Sequence, residues 1–165
     1  MSATTMKGAI AETAITARAV ELGIVVLKPL VEGRRYDLVF DTRDRLLRVQ
    51  CKYGRRRGAV IIVRLDSCRA TPNGYVRRCY DDSEIDGVAV YCGAIRRCYY
   101  LPISSVNGRT ELRLRLAPAL NGQEAAINFA AQYELGAIAQ LGERSAGSRK
   151  VGGSSPPSST PRPLA

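Results

Sequence analysis

The spacing of apolar residues changes from a helical to an extended pattern near the start of the chain. Residues 5–22 contain no proline and are rich in alanine, and Gly23 follows directly. Glycine commonly ends a helix, so this segment predicts a helix that stops before Gly23. Residues 24–27 are a short run of Ile, Val and Leu closed by Pro29, which predicts a first strand.

The next pattern is an alternation of apolar and polar residues on both sides of four polar residues, 42–45. Alternation with a period of two predicts a hairpin built from residues 34–41 and 46–52. If residues 42–45 form its turn, the register of the two strands is fixed.

That register places Asp41 opposite Leu46 and Asp37 opposite Gln50. Because side chains alternate faces along a strand, Asp37, Gln50 and Lys52 then share one face. The other face carries an apolar set that we expect to contact the core: Leu38, Phe40, Leu47, Val49 and Cys51.

The remaining pattern predicts mostly strands. Further strands are predicted at 59–65, 87–92, 97–101 and 112–116, the last with leucines alternating with arginines and therefore with a basic outer face. A basic turn is predicted at 54–58, and residues 66–83 read as a long loop with a turn signal at Pro72-Asn73-Gly74. Residues 123–135 predict a closing helix.

This order of elements is typical of a mixed α/β core in a single domain. Composition changes after residue 135, where Gly, Ser, Pro and basic residues dominate and apolar periodicity ends. Such a segment buries too little apolar surface to offset chain entropy. We therefore predict a folded domain at 1–135 and a disordered tail at 136–165.

The tail has a second property, which concerns the codons that could encode it. Residues 139–144 can be written in codons that resemble a transfer RNA D-arm, and residues 153–156 in codons that resemble a T-loop. Their separation is about what a transfer RNA needs. We interpret the tail as read-through into a neighbouring transfer RNA gene; the alternative is an ordinary Ser/Gly/Pro tail.

The net charge of +10 favours a polyanionic partner. Arginines cluster at 34–35, 55–57, 77–78 and 96–97. Clusters on turns between strands favour contact with phosphates, although many basic proteins have only solvated basic surfaces. Nucleic acid is the better interpretation.

Several classes of protein are excluded by residue types. The sequence has no histidine, which excludes Ser-His-Asp catalysis and His-ligated zinc. Its five cysteines include no CxxC pair, so reduced core thiols are expected. Without an apolar run of membrane-helix length or a signal-peptide core, we expect a protein of the bacterial cytoplasm or nucleoid and no membrane partner.

Polar groups of the hairpin and the first helix indicate metal-dependent chemistry on a phosphate. Asp37, Gln50 and Lys52 gather a carboxylate, an amide and an ammonium on one patch of sheet. Glu12 lies within the apolar stripe of the helix, where a carboxylate is costly to bury unless it meets a cation or a metal. Lys7-Gly8, one turn earlier, would allow close approach of the sheet or of a phosphate. Alternatively, Glu12 reaches solvent.

These residues resemble the active-site pattern of the PD-(D/E)XK nuclease superfamily, with Tyr36-Asp37 for its Pro-Asp and Gln50-Cys51-Lys52 for its (D/E)XK triplet. Segments 7–12, 35–38, 47–52 and 86–91 resemble, more narrowly, its group I intron-associated homing endonucleases, and also archaeal Holliday junction resolvases. The resemblance covers roughly residues 5–135. It implies a restriction-endonuclease-like core, a central mixed sheet flanked by helices.

The resemblance also implies the roles of the site residues. Glu12, Asp37, Gln50 and Lys52 would be catalytic. One or two Mg²⁺ ions would be held by oxygens of Glu12, Asp37 and Gln50 and by the Cys51 carbonyl. Lys52 would orient water or stabilise the phosphate, unless it is an exposed lysine paired with Asp37. Gln50 stands where the family has an acid, which should weaken metal binding.

DNA contacts are expected at both ends of the hairpin and in the 66–83 loop: Arg34, Arg35, Arg55, Arg56, Arg57, Tyr75, Arg77, Arg78 and Tyr80. The first five would hold backbone phosphates, and the loop residues would enter a groove and read bases. Alternatively, the loop is a solvated connection. The resemblance implies a homodimer or homotetramer on double-stranded DNA.

The leading hypothesis is a Mg²⁺-dependent, site-specific double-strand DNA homing endonuclease that targets a transfer RNA gene locus. The first alternative is a structure-specific nuclease similar to Holliday junction resolvases. The second is a DNA-binding protein that keeps the fold but is inactive because of Gln50.

Overall fold

The computed structural model of the protein describes residues 2–31, 33–72, 74–118 and 127–138, with the side chains of 68–71 outside that description. In chain order the elements are α1 (Ala3–Glu21), β1 (Val25–Leu27), β2 (Leu38–Asp41), β3 (Leu46–Tyr53), β4 (Arg55–Arg57), β5 (Val60–Arg64), β6 (Ser67–Thr71), β7 (Gly74–Arg78), β8 (Gly87–Cys92), β9 (Arg97–Pro102), α2 (Ile103–Val106), β10 (Glu111–Arg115), β11 (Asn128–Phe129) and a 3-10 helix (Ala130–Tyr133).

Helix α1 forms where the sequence predicts it, because both of its ends carry a capping residue. The Ser2 side chain accepts a hydrogen bond from the Thr5 amide at 3.1 Å. Gly23 follows the helix with φ of 75°, in the left-handed region that glycine adopts readily. Ala11, Ile15 and Ala19 are spaced by four residues and fully buried. The helix therefore packs through one narrow stripe.

A five-stranded sheet in the order β1-β2-β3-β8-β9 forms the centre of the fold. Its β2–β3 hairpin has the predicted register, with Asp41 opposite Leu46 and Leu38 opposite Val49. Only β3 and β8 run parallel within this sheet; the other neighbouring pairs are antiparallel.

The two faces of the central sheet contact different layers. Leu38, Phe40, Leu47 and Val49 are buried together with the α1 stripe. On the other face, Val88 and Val90 are buried against residues of a second sheet, whose order is β11-β10-β5-β4. The mixed α/β class is confirmed, and the layer opposite α1 is a sheet.

Two predicted connections are strands instead. The expected basic turn at 54–58 contains β4, which pairs with β5 and places Arg56 opposite Ile61. The expected loop at 66–83 contains β6 and β7, which form a separate two-stranded sheet. The pattern did not reveal this sheet because the described side chains of β7 are exposed, so no alternation of buried and polar residues marks it.

The predicted closing helix is also wrong for the residues that the structure describes. Asn128–Phe129 is a strand parallel to β10, and Ala130–Tyr133 is one short 3-10 helix. The strand pairing with β10 satisfies the backbone here, which overrides the local preference of an alanine-rich segment. Residues 123–126 lie outside the described residues.

The start of β8 is fixed to β3 by a dense set of polar contacts. The Arg48 amide donates to Asp86 Oδ2 at 2.7 Å and the Arg48 Nε to the same oxygen at 3.0 Å. In return, the Asp86 amide donates to the Arg48 carbonyl at 2.9 Å. Gly87 comes next, and a Cβ there would lie 2.4 Å from the Tyr100 ring. The β3–β8 pairing therefore tolerates little change.

Packing continues slightly beyond residue 135. Ile138 is 6% exposed and belongs to the cluster around α1. The predicted tail from residue 139 onward, and with it the codon interpretation, lies outside the described residues. Cys51, Cys79, Cys92 and Cys98 are free thiols, as expected. Among the described residues, no helix combines the length and apolar character needed to cross a membrane.

Candidate active site

The hairpin brings Asp37 and Gln50 into direct contact, as its register predicts. The Asp37 amide donates to the Val49 carbonyl at 2.9 Å, which continues the pairing beyond β2. Gln50 Nε2 donates to Asp37 Oδ2 and lies 3.4 Å from the Cys51 carbonyl oxygen. The Cys51 amide also donates to Asp37 Oδ2, at 2.8 Å. A carboxylate, an amide and a backbone carbonyl therefore converge on one point.

Asp37 is half-buried, and its surroundings favour the neutral carboxyl. Burial raises the pKa of Asp37 above its usual value; the Cys51 amide acts in the opposite direction, and the Glu12 carboxylate raises the pKa further. The ammonium groups of Lys52 and Lys28 only partly offset this. Burial is therefore the main reason why the ionised form of Asp37 is disfavoured in the metal-free site.

Lys52 lies on the same face, one strand position beyond Cys51. Its Nζ donates to the Asp66 carbonyl at 3.2 Å and lies 5.1 Å from the centre of the Tyr80 ring. Burial lowers the pKa of Lys52, while Asp37 and Asp66 act to raise it. The contact with the Asp66 carbonyl differs from the simple Asp37 pairing that we considered as the alternative.

Glu12 joins the site from α1, next to the buried stripe. Its side chain is 28% exposed and forms an ion pair with Lys28, which follows β1 and is 70% exposed. Glu12 also acts electrostatically on Asp37 and Cys51. The carboxylate thus neither lies in the apolar core nor points freely into solvent. Lys28 was not anticipated, because the sequence offers only an isolated lysine before Pro29.

The donor set fits a hard divalent cation. It consists of carboxylate oxygens of Asp37 and Glu12, the Cys51 carbonyl and, after rotation of its amide, Gln50 Oε1; oxygen is what Mg²⁺ prefers. The described residues contain no group of three His, Cys, Asp or Glu side chains placed to hold a metal ion. This set has only two carboxylates, and its further ligands would be an amide oxygen and a backbone carbonyl.

Two of the predicted DNA contacts are structural instead. Arg35 donates to the Glu84 carboxylate at 3.0 Å, to the Cys79 carbonyl at 2.8 Å and to the Ser67 hydroxyl. Its guanidinium lies 4.4 Å from the centre of the Tyr80 ring. Tyr80 is 3% exposed, and burial raises its pKa to about 12. Tyr80 is therefore buried away from a base, and Arg35, which is 26% exposed, has its guanidinium engaged with other parts of the protein.

The other predicted contacts are exposed: Arg34, Arg55, Arg56, Arg57, Tyr75, Arg77 and Arg78. Tyr75 is 80% exposed on the β6–β7 ribbon (67–78). Arg77 forms an ion pair with Asp66 at 3.5 Å and Arg78 one with Glu84 at 2.8 Å. Both arginines are about two-thirds exposed and can exchange these partners for a phosphate.

Asp66 is a residue that the sequence reasoning missed. Its side chain is 8% exposed, and its carboxylate pairs with Arg64 and Arg77. Burial alone would raise the pKa of Asp66, but the hydrogen bond from Arg64 and the charges of both arginines lower it overall. Its backbone carbonyl holds Lys52. Asp66 therefore joins the base of the ribbon to the candidate site.

Comparisons with known proteins agree with this geometry. A protein-family model described as PD-(D/E)XK endonuclease matches residues 2–136. Among solved structures, the chain is similar to a bacterial homing endonuclease, I-Ssp6803I, with 25% sequence identity and a TM-score of 0.69. That similarity covers 91% of this chain and 100% of the other. None of the curated proteins matches. The matched range contains every residue of the candidate site.

Proposed function

Because the chain belongs to the PD-(D/E)XK endonuclease family and is a DNA endonuclease, we propose that it is a Mg²⁺-dependent homing endonuclease that cuts both strands at a transfer RNA gene locus. One observation carries the assignment of the site. Asp37, the Gln50 amide and the Cys51 carbonyl converge beside Lys52 on adjacent strands of a rigid sheet.

The proposed roles follow from phosphodiester chemistry. A divalent ion, when bound, would lower the pKa of a water molecule and neutralise charge on the phosphate. Asp37, Glu12, Gln50 Oε1 and the Cys51 carbonyl would hold it. Lys52 would donate to a phosphate oxygen or orient the attacking water. Its partner, the Asp66 carbonyl, leaves two ammonium protons for that task.

The β6–β7 ribbon is the proposed element for reading the target sequence. A two-stranded ribbon is one of the shapes that the major groove of DNA admits. Tyr75 and Arg77 occupy alternate positions of β7 and so share a face. On the outer face of the second sheet, Arg55 and Arg57 would contact backbone phosphates.

Two copies of the chain are needed if each site cuts one strand, and α1 offers a surface for this contact. Its outward-facing residues are Met6, Ala9, Ile10, Thr13, Ala17 and Val20, which are exposed and uncharged. Two strongly basic chains repel each other, so an uncharged face is where they can meet. Ile10→Glu should convert the oligomer to monomer in light-scattering measurements, whereas Arg43→Glu, in the β2–β3 turn, should not.

The proposed target locus is supported by the tail, whose residues can be written in codons that resemble parts of a transfer RNA gene. If the gene of a mobile nuclease lies beside a transfer RNA gene, its reading frame can continue into that gene and encode such a tail. We retain the domain at 1–135 and the tail at 136–165 as proposals, with Ile138 as the last packed residue described.

The test is cleavage of a plasmid that carries the uninterrupted transfer RNA locus, with and without Mg²⁺. We expect one discrete double-strand cut that requires the metal. Lys52→Ala should abolish cutting while duplex binding persists. Full activity in this variant would show that the assignment of the active site is wrong. Selective cutting of four-way junctions would instead favour a junction-resolving nuclease.

Gln50 is the observation that favours the alternative of an inactive DNA-binding protein. With glutamine where the family has an acid, the donor set has one negative charge fewer. If the natural chain binds duplex DNA without cutting it and Gln50→Glu cuts, the inactive alternative is correct. If both cut, an amide ligand is sufficient.

A further inference from the structure

Lys28 is a charged residue at the candidate metal site that the proposed chemistry does not use. It lies just after β1, and its Nζ forms an ion pair with Glu12 Oε1. Its charge also acts on Asp37 and Cys51, two further members of the donor set. The ammonium therefore stands on the Glu12 side of the place where oxygen ligands converge.

For Asp37 and the charged side chains that act on it, the formal charges balance without any metal. Glu12 and Asp37 contribute two negative charges, Lys28 and Lys52 contribute two positive charges, and Gln50 contributes none. A site with a third carboxylate would leave a net negative charge for a divalent cation. Here a cation entering between Glu12 and Asp37 meets an ammonium that already neutralises one of its ligands.

The Glu12–Lys28 pair differs from an ordinary surface ion pair on the same helix. In the Arg18–Glu21 pair the side chains are 48% and 63% exposed; in the Glu12–Lys28 pair Lys28 is 70% exposed, but Glu12 is only 28% exposed. Water screens a partly buried carboxylate less, so its interaction with a nearby charge is stronger.

From this geometry we propose that Lys28 is a built-in counter-cation of the metal site. It neutralises Glu12 while no metal is bound and competes with the metal for that carboxylate, so that Lys28 sets the affinity for the divalent ion. The inference rests on the proposed function.

The proposal predicts effects of opposite sign from one substitution. In the metal-free protein, Lys28→Met leaves Glu12 and Asp37 without their shared neighbour and should lower the melting temperature. In the presence of metal, the same change removes the competitor and one repulsive charge. At a separation of about 6 Å in a water-like dielectric, removing that repulsion strengthens binding of a divalent ion on the order of tenfold. If the Glu12–Lys28 ion pair were only structural, Lys28→Met would lower the melting temperature without strengthening the binding of the divalent ion.

The experiment is titration calorimetry of the DNA-free protein with Ca²⁺, an oxygen-seeking probe, together with melting curves with and without Ca²⁺. We expect Lys28→Met to bind Ca²⁺ about tenfold more tightly than the natural chain and to gain more stability from it. Lys28→Arg keeps the charge and should behave like the natural chain. Arg18→Met removes one positive charge from α1, the helix that carries Glu12, and should leave Ca²⁺ affinity unchanged.

Asp37→Asn separates this inference from the function on which it rests. If Asp37→Asn weakens Ca²⁺ binding but Lys28→Met leaves it unchanged or weaker, the role of Lys28 is overturned and the metal site stands. If Asp37→Asn has no effect on Ca²⁺ binding, the ion binds elsewhere and both proposals are overturned.

Discussion

Asp37 shows at the scale of one residue how a functional group opposes stability. Its pKa is raised, chiefly by burial and then by Glu12 against the Cys51 amide, so the folded protein holds this proton more tightly than the unfolded chain does. A raised carboxyl pKa means that stability falls as pH rises from the unfolded pKa through the folded one. At neutral pH the ionised carboxylate is therefore a cost in the metal-free protein.

Asp37→Asn should consequently raise the melting temperature of the metal-free protein at pH 7 and abolish Mg²⁺-dependent cleavage. The asparagine Oδ1 can still accept the Cys51 amide, so the hairpin should stay intact. The gain over the natural chain should shrink as the pH falls toward the unfolded pKa near 4. An equal gain at pH 3.5 and pH 7 in thermal melts would contradict this account.

The pairing of Asp37 with Gln50 was predictable because it is local. The two residues are joined by a short turn, and alternation alone sets their register. Lys28, Asp66 and the Arg35–Tyr80 stack were not predictable. Arg35 meets Glu84 across 49 positions of sequence, and only the assembled fold decides that its guanidinium turns inward.

The β6–β7 ribbon illustrates, at the scale of elements, what a pattern of hydrophobic residues fails to detect. Strands with one buried face were recognised, and β5, β8, β9 and β10 all lie at their expected places. The ribbon buries no described side chain of β7 and so lacks that signal. Arginine-rich β4 was mistaken for a turn for the same reason, since all three of its residues are exposed.

Shortening the ribbon should separate recognition from folding. Replacing residues 69–76 by an Asn-Gly turn keeps the Arg35 contacts with Ser67 and Cys79 and the Asp66 carbonyl that holds Lys52. We expect a melting temperature within a few degrees of the natural chain and loss of the discrete cut at the locus. If the shortened protein still cuts at one site, the ribbon does not recognise the DNA sequence.

Two glycines should respond in opposite ways to alanine. In α1, a Cβ at Gly8 would meet nothing within 4 Å, so Gly8→Ala should stabilise the helix by about 1 kcal/mol. In β8, a Cβ at Gly87 would lie 2.4 Å from the Tyr100 ring and 2.7 Å from the Leu101 carbonyl oxygen. Gly87→Ala should therefore cost about 1–3 kcal/mol, as overpacked substitutions do. Urea denaturation of both variants measures the difference.

Gly8→Ala also tests the expected close approach at this position. The open space around Gly8 shows that the sheet does not require the glycine. If cleavage falls while stability rises, a phosphate approaches the backbone there. Unchanged cleavage would leave Gly8 without a role at the site.

At the scale of the molecule, the three layers give the protein two unlike outer surfaces. The outward side of α1 carries a stripe of exposed uncharged residues, and the outer face of the second sheet is basic. On that face Arg55 lies in register with Ile62 and Arg113, and Arg57 with Val60 and Arg115. We therefore expect DNA on the side of the second sheet and the second copy on the side of α1.

The salt dependence of duplex binding tests this arrangement. Each phosphate contact adds roughly 0.9 to the slope of log affinity against log salt. The double variant Arg55→Ala, Arg57→Ala should lower that slope by roughly 2. The control Arg18→Ala, Arg43→Ala removes the same charge from α1 and the hairpin turn, and should lower it much less. Equal slopes for the two doubles would mean that net charge alone governs binding.

The parallel pairing of β3 with β8 also has a kinetic consequence. Cys51 pairs with Ala89 across a connection that holds the ribbon and two strands of the second sheet. Closing so long a loop delays folding, because chain entropy is lost before the pairing compensates for it. The Asp37–Gln50 hairpin can form within microseconds, whereas β8 docks later. Asp37, Gln50 and Cys51 therefore meet early in folding, before β8 docks, whereas Glu12 joins them from α1.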